Sequence, residues 1–224
     1  RDFCLSRGLG DVYKRQDADR MLAVDECGEV VDGDQLMSIC GNYMKQKGTL
    51  KKNTIVATVM SNLGMFLMGE REGIHIEKTK VGDRYVLENM LENGYNIGGE
   101  QSGHIIFLDE NTTGDGLLSA LHLLQVMTET KKKLSELASI MEVLPQALVN
   151  AKVPNHKKEH FEEYAEIAEA IAEVEAKFAG EGRVLIRPSG TEPLVRVMIE
   201  GKDQQLIESE AQKLAELILS LIHI

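Results

Sequence analysis

Apolar residues along the first part of the chain switch between two spacings, which predict strands and helices in turn. The β-branched run at 54–60 is typical of a buried strand, and residues 32–47 carry apolar side chains at helical spacing. A helix capped by Asn62, a strand at 74–77 and a further helix at 82–92 are predicted to follow. Because strands and helices alternate, the sequence predicts an α/β domain with a mixed, mostly parallel sheet covered by helices.

The next predicted helix begins shortly after residue 112. Thr113 is a candidate N-cap, because its hydroxyl can accept from a free amide of the first turn. We expect one apolar stripe of this helix to face the core, and His122 lies off that stripe and is expected to be solvated. The stripe consists of Leu117, Leu118, Leu121, Leu124 and Met127.

After residue 143 the pattern predicts a small α+β domain, a sheet with two helices on one face. One helix carries an apolar stripe from Tyr164 to Phe178, and two strands flank the segment 187–193. A last helix follows. We place the boundary between the two domains near 143–147.

The segment 187–193, Arg-Pro-Ser-Gly-Thr-Glu-Pro, gathers groups that suit a phosphate. The guanidinium of Arg187 matches phosphate geometry, and a glycine lets backbone approach a ligand closely. Strand alternation allows Arg196 to lean back toward the loop. A polar hairpin turn with solvated arginines is the alternative. The candidate phosphate ligands are Arg187, Ser189, Gly190, Thr191 and Arg196.

A second glycine-rich polar loop, at 98–104, joins two short apolar runs. The carboxylate of Glu100 can accept from sugar hydroxyls and Ser102 can donate or accept, so the loop suits a polyol better than a phosphate. Alternatively, these side chains satisfy backbone groups. His104 is a candidate proton carrier because imidazole titrates near neutrality. A loop histidine bonded to backbone is the alternative.

These loops resemble those of the α-D-phosphohexomutase family. Residues 99–104 resemble the family's sugar-binding loop, and 187–193 resemble its phosphate-binding loop. Three further stretches agree with the family: 57–62, 80–85 and 112–116. The resemblance runs from about Asp17 to the last helix. It implies the fold of the family's third domain, followed by its C-terminal domain.

The resemblance also implies an activity. Members of the family isomerise a hexose phosphate through a phosphoserine enzyme and a bisphosphate intermediate. The glutamine form of the sugar loop, with Gln101, most resembles members that interconvert glucosamine 6-phosphate and glucosamine 1-phosphate. Arg20 would lie beside the transferring phosphoryl group. A mutase acting on mannose or glucose phosphates, and a non-catalytic sugar-phosphate-binding module, are the alternatives.

Asp17 and Asp19 occupy two positions of the family's magnesium loop. Mg²⁺ prefers closely spaced carboxylate oxygens. In this chain Arg15 and Gln16 stand where the family has its first aspartate and its glycine. The resemblance therefore implies Mg²⁺ as a cofactor, bound through a weakened site.

The resemblance divides the chain unevenly. Residues 1–16 do not match the family, and we interpret them as foreign to the gene; 220–224 raise the same question. Residues 17–30 would be a remnant of the second domain, 31–143 the sugar-binding domain and 144–224 the phosphate-binding domain. Nothing in the chain resembles the family's phosphoserine motif, so we expect this chain to bind a sugar phosphate without turning it over.

The net charge restricts the possible binding partners, and the cysteine content indicates the cellular compartment. The formal net charge of −11 argues against nucleic acid and anionic membrane, which leaves a small-molecule sugar phosphate as the expected partner. The three cysteines, Cys4, Cys27 and Cys40, show no metal-type spacing, and an odd number is typical of a reducing, cytoplasmic protein. The sequence leaves the oligomeric state open.

Overall fold

The computed structural model describes residues 18–155, 164–178, 182–189 and 192–222. Three candidate site residues, Asp17, Gly190 and Thr191, lie outside the described residues. The chain divides into two compact units between Glu142 and Val143.

The first unit is built around a four-stranded sheet. Its elements are β1 (Ala23–Val24), β2 (Val30–Val31), α1 (Gly33–Gln46), a 3-10 turn (Lys51–Asn53), β3 (Thr54–Thr58), α2 (Leu63–Glu72), β4 (His75–Thr79), α3 (Asp83–Asn93), β5 (Ile97–Gly99), β6 (Ile105–Phe107), α4 (Gly116–Thr130) and α5 (Leu134–Ala138). The strand order is β4-β3-β5-β6; β3 runs parallel to β4 and β5, and β6 is antiparallel to β5. β1 and β2 form a separate short hairpin.

Helices cover both faces of this sheet. On one face, Ile55 and Ala57 of β3 join a core formed with buried residues of α1, α2 and α4. On the other face, Val56 packs with Val86 and Met90 of α3. Alternate residues of β3 therefore feed two different cores, as expected for a strand buried on both sides. The predicted α/β fold class is confirmed.

Local capping signals set the ends of the first two helices. Asp32 accepts from the Gln35 amide at 3.1 Å while the Gln35 side chain accepts from the Asp32 amide at 3.2 Å, which forms a capping box. Asn62, the predicted cap of α2, accepts from the Gly64 amide at 2.9 Å. Gly73 ends α2 in a left-handed conformation with φ of 64°.

The prediction that Thr113 caps α4 is wrong. The cap is Asp115, whose carboxylate accepts from the Leu118 amide at 2.9 Å. Thr113 is exposed two residues earlier. Both side chains are competent acceptors, so the sequence alone does not distinguish them.

The predicted core stripe of α4 is also wrong in most of its members. The buried side chains of this helix include Ser119, Leu123 and Val126, and Leu118 and Met127 are only partly buried. The predicted leucines that face away are Leu117, Leu121 and Leu124, which are 71, 56 and 56% exposed.

His122 is half-buried rather than solvated, which corrects a further expectation. Its ring stacks on Phe107 of β6, with centroids 3.8 Å apart and an interplanar angle of 18°. Its Nε2 lies 2.9 Å from a carboxylate oxygen of Glu110. The aromatic partner is distant in sequence, so helical spacing gave no sign of it.

The second unit is a small α+β domain, as predicted. Its elements are β7 (Gln146–Lys152), α6 (Ala165–Phe178), β8 (Gly182–Pro188), β9 (Leu194–Gly201) and α7 (Gln204–Ile222). The sheet order is β7-β9-β8 with both pairs antiparallel. Val195, Val197 and Ile199 of β9 lie in one core with buried residues of α6 and α7. Alternate residues of β9 therefore face away from that core.

None of the helices in the described part of the chain combines the length and apolar content needed to span a lipid bilayer.

The corrected cap gives a direct test. Asp115→Ala should lower the free energy of unfolding of the first unit by about 1 kcal/mol, because a first-turn amide of α4 loses its acceptor. Thr113→Ala is the matched control and should leave it unchanged. Urea unfolding followed by circular dichroism measures both; equal losses would contradict the assignment of the cap.

Candidate functional site

The candidate sugar loop, Glu100–His104, is a tight turn between β5 and β6. The Glu100 amide donates to the His104 carbonyl at 2.9 Å, and the Gly103 amide donates to the Glu100 carbonyl at 3.0 Å. Gly103 has φ of 90°, a conformation that L side chains rarely adopt. A Cβ there would also lie 2.2 Å from the Met21 carbonyl oxygen. The glycine is therefore required by both conformation and space.

The same loop lies against the amino terminus of α1. The Gly33 amide donates to the Gln101 carbonyl at 3.0 Å, and the Gln101 side chain donates to Asp32 at 3.1 Å. A Cβ on Gly33 would lie 2.2 Å from the Glu100 carbonyl oxygen, so only glycine permits this contact. The glutamine that marks the loop in the sequence thus anchors the loop to the helix cap.

Glu100 has one carboxylate oxygen engaged by backbone. Its Oε1 accepts from the Gly82 amide at 3.0 Å. Its Oε2 has only a long contact, 3.4 Å, with the Ser102 hydroxyl. One oxygen of Glu100 thus satisfies a backbone group, as the alternative interpretation of this loop proposes. The second oxygen can accept a hydrogen bond from a ligand hydroxyl.

His104 is buried, with 5% of its side chain exposed, and both ring nitrogens have partners. Nε2 accepts from the Gly114 amide at 3.1 Å, and Nδ1 lies 3.1 Å from a carboxylate oxygen of Asp19. Because a backbone amide can only donate, this geometry assigns the proton of the neutral ring to Nδ1, which donates to Asp19. The histidine therefore links the segment near Asp19 to the segment near Gly114.

Residues 18–21 are pinned to this assembly by their backbone. The Met21 amide donates to the Gly103 carbonyl at 3.1 Å, and the Gly116 amide donates to the Ala18 carbonyl at 2.9 Å. The Arg20 side chain is half exposed, with its Nε 3.8 Å from Asp19. Segments far apart in sequence, including those of Gly82 and Gly114, thus meet around the sugar loop.

In the second unit the two candidate arginines lie directly opposite each other. Arg187 of β8 pairs in register with Arg196 of β9, and Nη2 of Arg196 lies 3.0 Å from a carboxylate oxygen of Glu192. The Ser189 hydroxyl accepts from the Glu192 amide at 3.2 Å, which shapes the described part of the loop. Arg196 therefore does lean toward the loop, and Arg187 lies beside it.

The sheet face that carries Arg187 and Arg196 also carries two polar residues that the sequence did not indicate. Asn150 of β7 is opposite Arg196 in register, so Asn150, Arg196 and Arg187 form a row across the three strands. Lys152, two residues further along β7, is also exposed on that face. Side chains opposite each other on neighbouring strands lie within about 5.5 Å, so Asn150 is within reach of a ligand held by Arg196. The sequence shows that polar residues alternate along β7, but only the pairing of β7 with β9 shows that they lie beside Arg196.

The described residues do not by themselves supply a magnesium site. Among them no group of three His, Cys, Asp or Glu side chains could hold a metal ion. Asp19, the described member of the candidate pair, is hydrogen-bonded to His104. Asp17 lies outside the described residues and stays a prediction.

Comparison with known proteins decides the family. A sequence model described as phosphoglucomutase/phosphomannomutase, alpha/beta/alpha domain III, matches residues 32–144, half of the chain. A second model, the C-terminal domain of the same family, matches residues 148–217. The chain belongs to the phosphoglucomutase/phosphomannomutase family. The two domain models follow one another in the order that the resemblance implied.

Curated members of the phosphoglucomutase/phosphomannomutase family include proteins much like this chain. Phosphoglucosamine mutase of Ruminiclostridium cellulolyticum is 64% identical over 202 residues, which cover 90% of this chain and 45% of that protein. Phosphoglucosamine mutase of Clostridium botulinum, strain Alaska E43, is 60% identical over 223 residues, which cover 99% of this chain and 50% of that protein. The chain thus spans about half the length of these relatives.

Solved structures agree on the fold. The Aspergillus fumigatus N-acetylphosphoglucosamine mutase in complex with GlcNAc-6P and magnesium matches with a TM-score of 0.70 and 19% sequence identity. The match covers 90% of this chain and 50% of that one.

The close backbone contact at Gly103 can be separated from its unusual conformation. Gly28 has the same φ of 90° and no neighbouring atom that a Cβ would meet, so Gly28→Ala introduces conformational strain alone, about 1–2 kcal/mol. Gly103→Ala adds a clash with Met21 and should destabilise the first unit further. In the Gly103→Ala variant the amide resonances of residues 18–21 should also shift, because this segment contacts Gly103. Equal unfolding free energies for the two variants would contradict the close packing.

Proposed function

We propose that this chain is the sugar- and phosphate-recognising part of a phosphoglucosamine mutase. Such an enzyme interconverts glucosamine 6-phosphate and glucosamine 1-phosphate in the cytoplasm. The observation that carries the proposal is the 64% identity, over 202 residues, to a protein of that name. The geometry of the two loops supports sugar recognition by the first unit and phosphate binding by the second.

In this proposal the first unit reads the sugar. Oε2 of Glu100 accepts from a sugar hydroxyl, because its other oxygen is already held by Gly82 at 3.0 Å. Ser102, 3.4 Å from that oxygen, turns its hydroxyl to the ligand. A carboxylate repels phosphate, so this loop selects the polyol end of the ligand.

The second unit binds the phosphate that does not react. Arg187 supplies a guanidinium fork, and Arg196 and Ser189 lie beside it. Gly190 and Thr191 are the remaining proposed ligands of this loop. Asn150 and Lys152, on β7, add an amide and a positive charge to the same sheet face. In a chain of net charge −11, this local excess of cations is what attracts an anionic ligand.

Residues near the start of the described chain serve the reacting end. Arg20 neutralises charge on the transferring phosphoryl group, which suits its half-exposed guanidinium. His104 positions Asp19 through the 3.1 Å hydrogen bond, and the proton on its Nδ1 makes it a candidate for proton transfer. Asp17 and Asp19 are the proposed magnesium ligands. The described residues do not complete that site on their own.

The phosphoryl group itself would come from elsewhere in the longer protein. A phosphoserine donates its phosphoryl group to the sugar phosphate, and the bisphosphate later returns the other phosphoryl group to the serine. The part of the relatives that this chain does not span is the proposed carrier of that serine. This chain therefore binds the ligand without converting it.

Turnover tests the whole proposal. The upstream half of the Ruminiclostridium cellulolyticum relative is fused to this chain at Ala18, and a coupled assay follows glucosamine 1-phosphate. The fusion should turn over glucosamine 6-phosphate faster than glucose or mannose 6-phosphate, while the 224-residue chain alone is inactive. A fusion that prefers mannose 6-phosphate, or an active 224-residue chain, would contradict the proposal.

Arg187→Ala should weaken glucosamine 6-phosphate binding about tenfold or more, since a charge-assisted hydrogen bond contributes roughly 1.5–3 kcal/mol. Calorimetry measures the affinity. Lys213→Ala is the control, because it removes one positive charge from the same unit at an exposed side chain paired with Glu210. Equal affinities of the two variants for glucosamine 6-phosphate would contradict the assignment of Arg187 to the phosphate site.

Glu100→Ala should separate sugar recognition from phosphate binding. It removes the acceptor for a sugar hydroxyl, so affinity for glucosamine 6-phosphate should fall while affinity for inorganic phosphate stays unchanged. Arg187→Ala should lower both affinities. Glu88→Ala, at an exposed glutamate of the same unit, is the control. A parallel loss of both affinities in Glu100→Ala would count against its role.

A further inference from the structure

Two helices of the first unit leave an open furrow between them, which we call the α1–α4 furrow. It has a volume of about 510 Å³ and reaches the end of β6. Sites for small ligands usually have volumes of about 300–1,000 Å³, with an apolar lining and a few polar groups. The furrow therefore has the size of a small-molecule site. Its lining includes Cys40 and Tyr43 of α1, Phe107 of β6, Glu110, and His122 and Val126 of α4.

The α1–α4 furrow and the sugar loop lie at opposite ends of the same two strands. Asn96, which lines the furrow, directly precedes β5, and Phe107 is the last residue of β6. Glu100 directly follows β5, and His104 directly precedes β6. The two strands pair antiparallel, with Ile97 opposite Phe107, so these ends are separate. A ligand in the furrow therefore does not occupy the sugar site.

The floor of the furrow is apolar and aromatic. Cys40, Phe107 and Val126 are each 3% exposed. The rings of Phe107 and His122, stacked with centroids 3.8 Å apart, both line the furrow, and Tyr43 of α1 adds a third ring. Aromatic rings favour contact with other flat apolar groups, and their faces attract cations. The floor therefore suits an apolar or aromatic ligand.

Two of the three carboxylates that line the furrow are already neutralised by lysines. Lys47 donates to Glu129 at 2.7 Å and lowers the pKa of that carboxyl to about 2. Lys51 pairs with Asp109 and likewise lowers the pKa of its carboxyl. Both carboxylates are therefore ionised at neutral pH, and each has its own cation.

The third carboxylate, Glu110, has a different neighbour. Its Oε1 lies 2.9 Å from Nε2 of His122. An imidazole titrates near neutrality and neutralises a carboxylate only while it is protonated, whereas a lysine stays charged well above neutral pH. The Glu110 side chain is 48% exposed, so a ligand can reach it. Glu110 therefore leaves negative charge in the furrow with which a cationic ligand can pair.

We propose that the α1–α4 furrow is a second ligand site, which binds a protonated amine carried on an aromatic or apolar body. The body lies against Phe107 and His122, and the ammonium group pairs with Glu110. The formal net charge of −11 favours a cation over an anion. An anion gains little from Lys47, because Glu129 already holds that lysine. This site goes beyond the proposed function and does not depend on it.

Three indole compounds separate the contribution of charge from that of apolar contact. Tryptamine, tryptophol and indole-3-propionate share the ring and a two-carbon chain, which ends in an ammonium, a hydroxyl and a carboxylate respectively. Each is titrated into the 224-residue chain at neutral pH, and amide chemical shifts are recorded. We expect tryptamine to bind with a dissociation constant of about 2 mM or lower, given the efficiency usual for small ligands.

Tryptamine should bind about threefold more tightly than tryptophol, because an exposed ion pair adds a few-fold to affinity, and indole-3-propionate should bind most weakly. The shifts should appear at Phe107, His122 and Val126 and leave Gly82 and Gly103 unchanged. Equal affinities for tryptamine and tryptophol would overturn the proposal, as would tighter binding of indole-3-propionate. Shifts at Gly82 and Gly103 in place of the furrow, or unchanged spectra throughout the titration, would also overturn it.

A charge-removing variant tests the role of Glu110. Glu110→Gln should lower the affinity for tryptamine about threefold, to that for tryptophol, and leave the affinity for tryptophol unchanged. Glu88→Gln is the matched control, because Glu88 lies in the same unit outside the furrow and its side chain is also 48% exposed. It should keep the preference for tryptamine.

A preference that survives in Glu110→Gln would contradict the proposal. A preference lost in both variants would assign it to the net charge of the chain and contradict the proposal as well. Because no sugar phosphate is used, the second ligand site and the proposed function can fail separately.

Discussion

The sugar loop keeps its shape because neighbouring segments approach its backbone more closely than any side chain would permit. Cβ atoms on Gly33 and Gly103 would each lie 2.2 Å from a carbonyl oxygen, and one on Gly114 would lie 2.5 Å from the His104 ring. Close approach allows direct backbone hydrogen bonds among segments that are far apart in sequence. Such bonds satisfy buried polar groups and fix the loop.

This packing decides which polar groups are available to a ligand. Gly82 holds Oε1 of Glu100, Asp32 holds the side chain of Gln101, and Gly114 holds Nε2 of His104. A site held by its own supporting hydrogen bonds presents its remaining acceptors in a fixed geometry. What remains for a ligand is an acceptor and a hydroxyl on one unit, and a cationic sheet face on the other. The two units therefore carry complementary chemistry.

The sequence predicted features that depend on neighbouring residues. The cap at Asn62 and the strand alternation that turns Arg196 away from the core and toward the loop follow from local chemistry and strand geometry, and both are confirmed. The separated motifs were matched to the family by resemblance, and no local pattern predicts that they meet around one loop. The physical basis of this convergence, glycine at the points of closest approach, became visible only in the structure.

The failures share one cause, which is that the deciding contact is distant in sequence. Asp115 and Thr113 are both competent caps, and the helix begins after the aspartate, at Gly116, whose amide donates to the distant Ala18 carbonyl. His122 was expected in solvent because nothing near it announces the stacking on Phe107. Asn150 was missed because strand register, which places it opposite Arg196, is not written in either strand alone.

The proposed division of sugar and phosphate recognition between the two units can be tested directly by amide chemical shifts. Inorganic phosphate should shift Ser189, Leu194 and other amides near the loop of the second unit, and leave Gly82 and Gly103 unchanged. Glucosamine 6-phosphate should shift both sets, because it carries both groups. If glucosamine 6-phosphate shifted only the second unit, or if phosphate alone shifted Gly82 and Gly103, the assignment of the two loops would be wrong.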